Sequence, residues 1–200
     1  MTKRIFEKLE LPKDSRYLCE NYFKEFDRWW DPNKFDWERQ SCSLAEHCRH
    51  YFDKWWDPEK FDWHGSTYLL IHNEKNFDKW WDPKKFHWDV CSTFLPKHCI
   101  KHFDKWWNPK KFDWEKGSDD LALHCSKIFD KWWDPEKFNW ETGSYELIRC
   151  CSTHFDKWWN PDKFNRRHSE YLARYCYKHL SIWYDPEKVD CNIFDESLFH

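Results

Sequence analysis

The stretch FDKWWDPEKFDW, Phe52–Trp63, decides the fold, because it is one copy of a motif that recurs along the chain. Successive copies start 25 or 26 residues apart, and all 18 tryptophans of the 200-residue chain lie inside them. The copies begin at Phe26, Phe52, Phe77, Phe103, Phe129, Phe155 and, in a degraded form, Leu180. A fixed period of this length is typical of a repeat array. Positions are counted below from the first residue of each copy, so that Cys48 is position −4 of the second copy.

A serine at position −11 and a leucine at position −8 precede every copy. Serine is a preferred N-cap, since its hydroxyl accepts hydrogen bonds from the free N–H groups of a first helical turn. In the second copy Ser41 is followed by Leu44, Cys48, Phe52 and the two tryptophans, a spacing that places them on one helical stripe. The pattern predicts a helix of about 15 residues that begins at the serine.

A second, shorter helix is predicted at the Asp-Pro pair of each copy, such as Asp57-Pro58. Aspartate and asparagine cap helices, and proline is favoured at the first helical position. A glycine directly before the serine predicts a turn between repeats at Gly65, Gly117 and Gly143. Pro96 is expected near the start of its helix, where the missing N–H costs least.

These signals together predict an all-α fold, a right-handed α-solenoid of seven helix–short helix repeats with the motif FDKWWDPxKFxW. Neither helix can bury its apolar stripe alone, so neighbouring repeats must stack into one core. The predicted boundaries are an N-terminal cap at residues 1–14, the repeats at 15–190 and a C-terminal cap or tail at 191–200, all in one structural domain.

The segments WWDPEKFDW at Trp55–Trp63 and WWDPEKFNW at Trp132–Trp140 are similar to FDPEKYNW-type tryptophan-rich repeats of uncharacterised bacterial and phage proteins. The helix–short helix unit also resembles HEAT-like and leucine-rich-variant solenoids. The resemblance spans about residues 15–190 and implies the fold, but it carries over no activity.

Composition argues against several classes of function. The chain has 33 basic and 36 acidic residues, a formal charge of −3, whereas proteins that neutralise nucleic-acid phosphates need a basic surplus. No stretch approaches the ~20 apolar residues of a membrane span, and the charged N-terminus does not fit a signal peptide. We therefore expect a cytoplasmic protein with reduced cysteines and no membrane contact. With three glycines and no phosphate loop or nucleophile motif, we expect no enzymatic activity.

Five of the ten cysteines share position −4, on the predicted buried stripe. They are Cys48, Cys99, Cys125, Cys151 and Cys176. Equivalent residues of stacked helices lie ~8–10 Å apart, beyond the ~7 Å limit for a disulfide. These cysteines are interpreted as small core residues, and no cofactor is predicted.

Positions −6, −5, −3 and −1 vary among copies that are otherwise nearly identical. A face matched to one partner would vary in this way, and so would a surface under no constraint. The candidate partner-binding residues are His47, Tyr51, His72, His98, Ile100, His102, His124, Cys150, His154 and Tyr175. The sequence thus favours a non-enzymatic scaffold that binds another protein, an inference by analogy with other α-solenoids. The phage-like resemblance implies an inhibitor of a cellular or antiviral machine as one version.

Two alternatives remain open at the level of sequence. His98 with His102, and Cys150 with His154, have the i, i+4 spacing by which one helix face offers two ligands to a metal or an iron–sulfur cluster. A lysine in every copy, Lys34 to Lys188, together with the tryptophans, fits a single-stranded nucleic-acid binder. Ion pairs with carboxylates of neighbouring copies, such as Asp27 and Asp53, explain that lysine ladder equally well.

Overall fold

The structure is a computed structural model that describes residues 14–184, and within this range every regular element is helical. The chain divides into two compact units between His87 and Trp88. The predicted caps, apart from Asp14, lie outside the described residues, as does the last part of the seventh copy. The all-α solenoid of repeated helical units is confirmed for the described copies.

In the first unit, α1, α3 and α5 pack in succession and shorter helices follow each of them. Its helices are α1 (Ser15–Asn21), α2 (Phe26–Trp29), α3 (Trp37–His47), α4 (Phe52–Trp55), α5 (Ser66–His72) and α6 (Phe77–Trp80). Its 3₁₀ turns are Phe23–Glu25, Arg49–Tyr51, Trp63–Gly65 and Glu74–Asn76.

The second unit repeats the same succession, with α10 packed against α12 and α12 against α14. Its helices are α7 (Trp88–Cys91), α8 (Leu95–His98), α9 (Phe103–Trp106), α10 (Trp114–His124), α11 (Phe129–Trp132), α12 (Trp140–Cys150), α13 (Phe155–Trp158), α14 (Ser169–Tyr175) and α15 (Leu180–Trp183). Its 3₁₀ turns are Ser92–Phe94, Ile100–His102, Ser126–Ile128, Ser152–His154, Arg166–His168 and Tyr177–His179.

The predicted helix start is correct in three copies, where α1, α5 and α14 begin at the serine, and wrong in the others, where the helical segment begins earlier. Helix α10 begins at Trp114, four residues before the serine, because Asp113 is its N-cap and accepts a 3.2 Å hydrogen bond from the N–H of Lys116. It ends at His124, and a 3₁₀ turn separates it from the four-residue α11. The single helix predicted from the serine is therefore three elements, and its true start lies in the last two residues of the preceding motif.

The second, short helix predicted at each Asp-Pro pair is a hydrogen-bonded turn. The carbonyl of Asp57 accepts from the N–H groups of Lys60 and Phe61 at 3.2 and 2.9 Å, and its Oδ1 accepts from the N–H of Glu59 at 3.0 Å. The aspartate does cap this turn, as its residue type predicts. The extended backbone of Trp56, with ψ of 118°, ends the preceding helix. Pro58 in turn disfavours helical geometry at Asp57, the residue directly before it.

The serine at position −11 joins neighbouring repeats instead of capping a helix. Ser118 is fully buried inside α10, where its hydroxyl donates to the carbonyl of Trp114 at 2.5 Å. The same Oγ accepts a 2.9 Å hydrogen bond from the N–H of Asn139, the N-cap of the next long helix. Ser15, Ser41, Ser92 and Ser144 accept the equivalent N–H, 21 residues further on.

Of the three glycines before the serine, Gly65 ends the 3₁₀ turn Trp63–Gly65, and the other two do not form the predicted turns. Gly117 and Gly143 lie inside α10 and α12, and no described glycine has a positive φ. A Cβ on Gly143 would stand 2.3 Å from Cζ of Phe138, and one on Gly117 would stand 2.6 Å from Cζ of Phe112. These glycines are needed because the second phenylalanine of the motif packs directly against the helix backbone.

Pro96 lies near the start of its helix, as predicted, but that helix is only the second part of the segment. The helical segment of this copy begins at Trp88, and a 3₁₀ turn at Ser92–Phe94 divides it into α7 and α8. Pro96 is the second residue of α8. Since proline cannot donate to the preceding turn, the helix that runs unbroken in α10 is interrupted here.

The core consists of repeated apolar columns, as the pattern predicts. The position −8 leucines from Leu44 onward, the first phenylalanines of six copies and the position −4 cysteines are all at most 4% exposed. The first tryptophan of the motif is also buried from Trp55 onward, and its Nε1 donates to the position −4 carbonyl, as Trp132 does to Cys125 at 2.9 Å. The second tryptophan, such as Trp133, is only half-buried.

Candidate partner-binding face

The variable positions lie on one side of each repeat, beside the buried columns. We call positions −9, −6, −5, −3 and −2 the variable face. The residues at −9, −6 and −5 follow i, i+3 and i+4 spacing, which places them on one side of a helical segment. Contacts confirm this adjacency, since Phe94 stacks on His98 with ring centroids 6.5 Å apart and Arg149 lies 2.7 Å from Glu146. Positions −3 and −2 lie in the 3₁₀ turn that follows, and one cavity brings them together with positions −6 and −5, since Glu46, His47, Arg49 and His50 all line it.

All ten residues predicted for partner binding are half-buried. In the first unit, His47 and His72 line one cavity of about 280 Å³ together with Phe23, Glu46, Arg49 and His50. Burial lowers the pKa of His72, which favours its neutral imidazole. The structure thus brings two predicted residues from neighbouring repeats together on the variable face.

Position −1, by contrast, belongs to the packing between repeats. The ring of Tyr51 stacks on Phe26 of the preceding copy at 4.8 Å, and its hydroxyl donates to the carbonyl of Lys24 at 3.2 Å. His154 stacks in the same way on Phe129 at 4.7 Å. Each of these rings has one face covered by the repeat before it.

The other predicted residues of the second unit contact neighbours on their own helix. His124 lies 3.7 Å from Asp120, the Cys150 thiol lies 3.5 Å from Glu146, and Arg174 lies over the ring of Tyr175 at 5.4 Å. Ile100 and His102 lie in the 3₁₀ turn that follows α8. These residues line the side of the repeat without converging on one point.

The two predicted metal pairs do not lie on one continuous helix. His98 ends α8 and Cys150 ends α12, whereas His102 and His154 belong to the 3₁₀ turns that follow. The i, i+4 argument assumed a helix that runs through both positions, and the C-caps Cys99 and Cys151 end it between them. In the part of the chain from 14 to 184, no three His, Cys, Asp or Glu side chains are grouped so as to hold a metal ion.

The five cysteines at position −4 are core residues, as predicted. The nine described cysteines are free thiols. Burial raises the pKa of Cys125, Cys151 and Cys176 to about 12, so these thiols stay protonated at neutral pH. Because the thiolate is the nucleophile, such thiols are unreactive.

Lysines and carboxylates of neighbouring copies pair on the side of the repeats that carries the motif. The lysine of the Phe-Asp-Lys triplet reaches the aspartate of the preceding copy, as Lys54 does to Asp27 at 2.5 Å and Lys131 to Asp104 at 2.7 Å. The predicted lysine ladder makes cross-repeat pairs in Lys85–Glu59 and Lys163–Glu136. Four lysines of this ladder also lie over the third tryptophan of the preceding copy, with the ammonium nitrogen 5.3 to 6.0 Å from the ring centroid. They are Lys60, Lys85, Lys111 and Lys137.

Sequence reasoning missed two parts of the face. Position −9 carries exposed aromatic rings at Tyr17, Tyr68 and Phe94, which the i, i+4 relation to position −5 could have identified. Position −2 carries exposed lysines in most copies, a periodic signal that the more regular motif lysines obscured. The cavity residues Phe23 and Arg49 have no periodic signal, because each differs from its equivalents in other copies, and Glu46 shares its residue type only with Glu20.

No family model matches the chain, and no curated protein or solved structure is significantly similar to it. Among residues 14–184, no helix has both the length and the apolar character that crossing a membrane requires.

Proposed function

We propose that this chain is a non-enzymatic repeat scaffold that binds another protein along its variable face. The observation that carries the proposal is the distribution of exposed apolar side chains. Eight large hydrophobic residues are exposed in the described range, and five of them occupy positions −9, −6 or −3. The five are Tyr17, Tyr68, Ile71, Phe94 and Tyr177. Exposed apolar groups concentrated on one surface are typical of protein-interaction sites.

The chemistry of the remaining surface supports the same proposal. The motif side is occupied by cross-repeat ion pairs and by lysines over tryptophan rings, so its charged groups already have partners within the repeats. Buried thiols of raised pKa offer no nucleophile. A reducing compartment such as the cytoplasm suits a core built on free cysteines. Given the resemblance to phage and bacterial repeats, the proposal includes an inhibitor of a cellular or antiviral machine.

Capture of a partner from a reducing cell lysate, with three versions of the full chain as bait, tests the proposal. The double variant Tyr68→Ala/Phe94→Ala removes two exposed rings from the variable face. Ile182→Ala is the matched control, because Ile182 is 56% exposed but occupies the lysine position of the Phe-Asp-Lys triplet, on the motif side of the repeat. Circular dichroism checks that all three baits are folded.

We expect a stoichiometric protein partner with the wild type and with Ile182→Ala, and at least tenfold weaker binding with the double variant. Large aromatic side chains at interfaces commonly contribute more than 1 kcal/mol each. Failure to capture any stoichiometric partner, or equal capture by the double variant, would contradict the proposal.

A further inference from the structure

Two sets of three lysines in the second unit differ in whether a carboxylate neutralises them. In the first set, on the motif side, Lys131 contacts Asp104 at 2.7 Å and Lys157 contacts Asp130 at 2.5 Å. The hydrogen bond from Lys157 holds the pKa of Asp130 below its usual range. Lys163 contacts Glu136 at 2.7 Å. These charges are already compensated inside the repeat array.

The second set lies at position −2 of the variable face and consists of Lys101, Lys127 and Lys178, all exposed. Within residues 14–184 these three lysines make no ion pair with a carboxylate. The ammonium group of Lys178 lies 5.9 Å from the ring centroid of Tyr177, one of the exposed apolar residues of the face. Three of the four copies of this unit therefore carry, at position −2, one positive charge without an internal counter-ion.

The variable face of the second unit is basic although the whole chain carries a charge of −3. Its six basic residues are Lys97, Lys101, Lys127, Arg149, Arg174 and Lys178, and its two acidic residues are Asp120 and Glu146. Both acidic residues have basic neighbours on their own helix, Asp120 with His124 at 3.7 Å and Glu146 with Arg149 at 2.7 Å. The surplus of positive charge is thus local to this face.

We propose that the variable face of the second unit binds an acidic segment of a polypeptide in an extended conformation. The proposal rests on the proposed function and names the chemistry of the partner. Stacked helices lie ~8–10 Å apart, and an extended chain in the polyproline II conformation rises ~3.1 Å per residue with three residues per turn, so that every third side chain points to the same side. Lysines one repeat apart therefore meet every third residue, so the matching ligand has Asp or Glu at about that interval. Phe94 and Tyr177 supply apolar contacts beside the charges.

Binding of synthetic peptides to the purified full chain tests this inference, measured by fluorescence anisotropy at 50 and 300 mM NaCl. One twelve-residue peptide has glutamate at every third position, and two others have glutamine or lysine there. We expect the glutamate peptide to bind at least tenfold more tightly than the other two. We also expect its affinity to fall at the higher salt concentration, because exposed charges are screened.

Two triple variants distinguish the contribution of the variable face to peptide affinity from that of the overall charge of the chain. Lys101→Gln/Lys127→Gln/Lys178→Gln should weaken binding of the glutamate peptide at least tenfold. Lys131→Gln/Lys157→Gln/Lys163→Gln removes the same number of positive charges from the motif side and should change the affinity less than threefold. Equal losses in the two variants would overturn the inference, because binding would then depend on net charge alone.

The remaining outcomes distinguish this inference from the proposed function. If a captured partner depends on Tyr68 and Phe94 but the glutamate peptide binds no better than the glutamine peptide, the inference fails and the proposed function stands. If an oligothymidylate of equal charge binds more tightly than the glutamate peptide and is lost in the Lys101 triple variant, the face binds nucleic acid and the inference is wrong. Selective binding of the glutamate peptide supports the inference whether or not a lysate yields a partner.

Discussion

A single serine hydroxyl shows how one residue holds two repeats together. Ser118 donates to a carbonyl of its own helix and accepts from the N–H of Asn139, the residue that caps the next long helix. Both bonds form where the serine is fully buried, so neither group has water as an alternative partner. The invariance of this serine among the copies thus follows from the stacking of repeats.

Replacing Ser118 by alanine should lower the free energy of unfolding more than removing an exposed surface hydroxyl does. Ser118→Ala leaves the N–H of Asn139 without its acceptor, and an unsatisfied buried group of this kind costs about 1–3 kcal/mol. Urea unfolding should therefore show a loss of that size in the free energy of unfolding. Ser126→Ala, in the half-buried 3₁₀ turn of the same repeat, is the control and should change it by less than about 0.5 kcal/mol. Equal effects of the two substitutions would refute the bridging role.

At the scale of the helix, the N-cap determines where each repeat begins. Asp36, Asp113 and Asn139 accept backbone N–H groups at the start of α3, α10 and α12. The same residues end the motif in the sequence, so the last two letters of one copy are the first of the next structural repeat. The boundary between repeats therefore falls inside the motif.

Removal of the cap at Asp113 should destabilise the second unit. Asp113→Ala deletes the acceptor for the N–H of Lys116 and should lower the free energy of unfolding by about 0.5–2 kcal/mol. Asp113→Asn keeps a capping oxygen but removes the charge near the Lys116 ammonium, 3.6 Å away. It should stay close to the wild type in urea unfolding. A loss in the asparagine variant as large as in the alanine variant would mean that the ion pair, and not the cap, stabilises this helix.

The sequence predicts well which residues of the repeat form the core, but it predicts the helix boundaries poorly. The buried Leu, Cys and Phe columns follow from spacing alone, because a helical stripe must face the core. The start of the helix does not follow, since Ser118 and Asp113 are equally good N-caps by residue type. The bridging bond to Asn139 decides between them, and it joins residues 21 apart in the chain. For the same reason the i, i+4 metal pairs were predicted on a helix that ends between their members.

Prediction of the candidate face was limited in a different way. The variation at positions −6, −5 and −3 identifies a side of the repeat, and the structure places His47 and His72 around one cavity there. Spacing cannot tell that Tyr51 and His154 stack on the preceding phenylalanine, because that contact depends on the distance between repeats. Nor can it tell which lysines find a carboxylate in the preceding copy.

At the scale of the whole molecule, each repeat combines invariant residues that stack with variable residues that face outward. The invariant columns, the serine bridge and the tryptophan-to-carbonyl hydrogen bonds all act within a repeat or between neighbouring repeats. A protein of this kind has a stability that is approximately a sum of repeat and interface contributions. The central claim is therefore that repeats are interchangeable modules, and that the array supports a face whose residues can change without loss of the fold.

Removal of one repeat tests this claim most directly. Deletion of residues 104–129 takes out 26 residues and joins Phe103 to Asp130, so every column keeps its register. Deletion of residues 104–125 removes 22 residues but shifts the columns, and it serves as the control. The measurement is thermal unfolding followed by circular dichroism. We predict that the 26-residue deletion keeps the helical signal per residue and a cooperative transition at a lower temperature, whereas the 22-residue deletion loses both. Loss of cooperative unfolding in the 26-residue deletion would contradict the account.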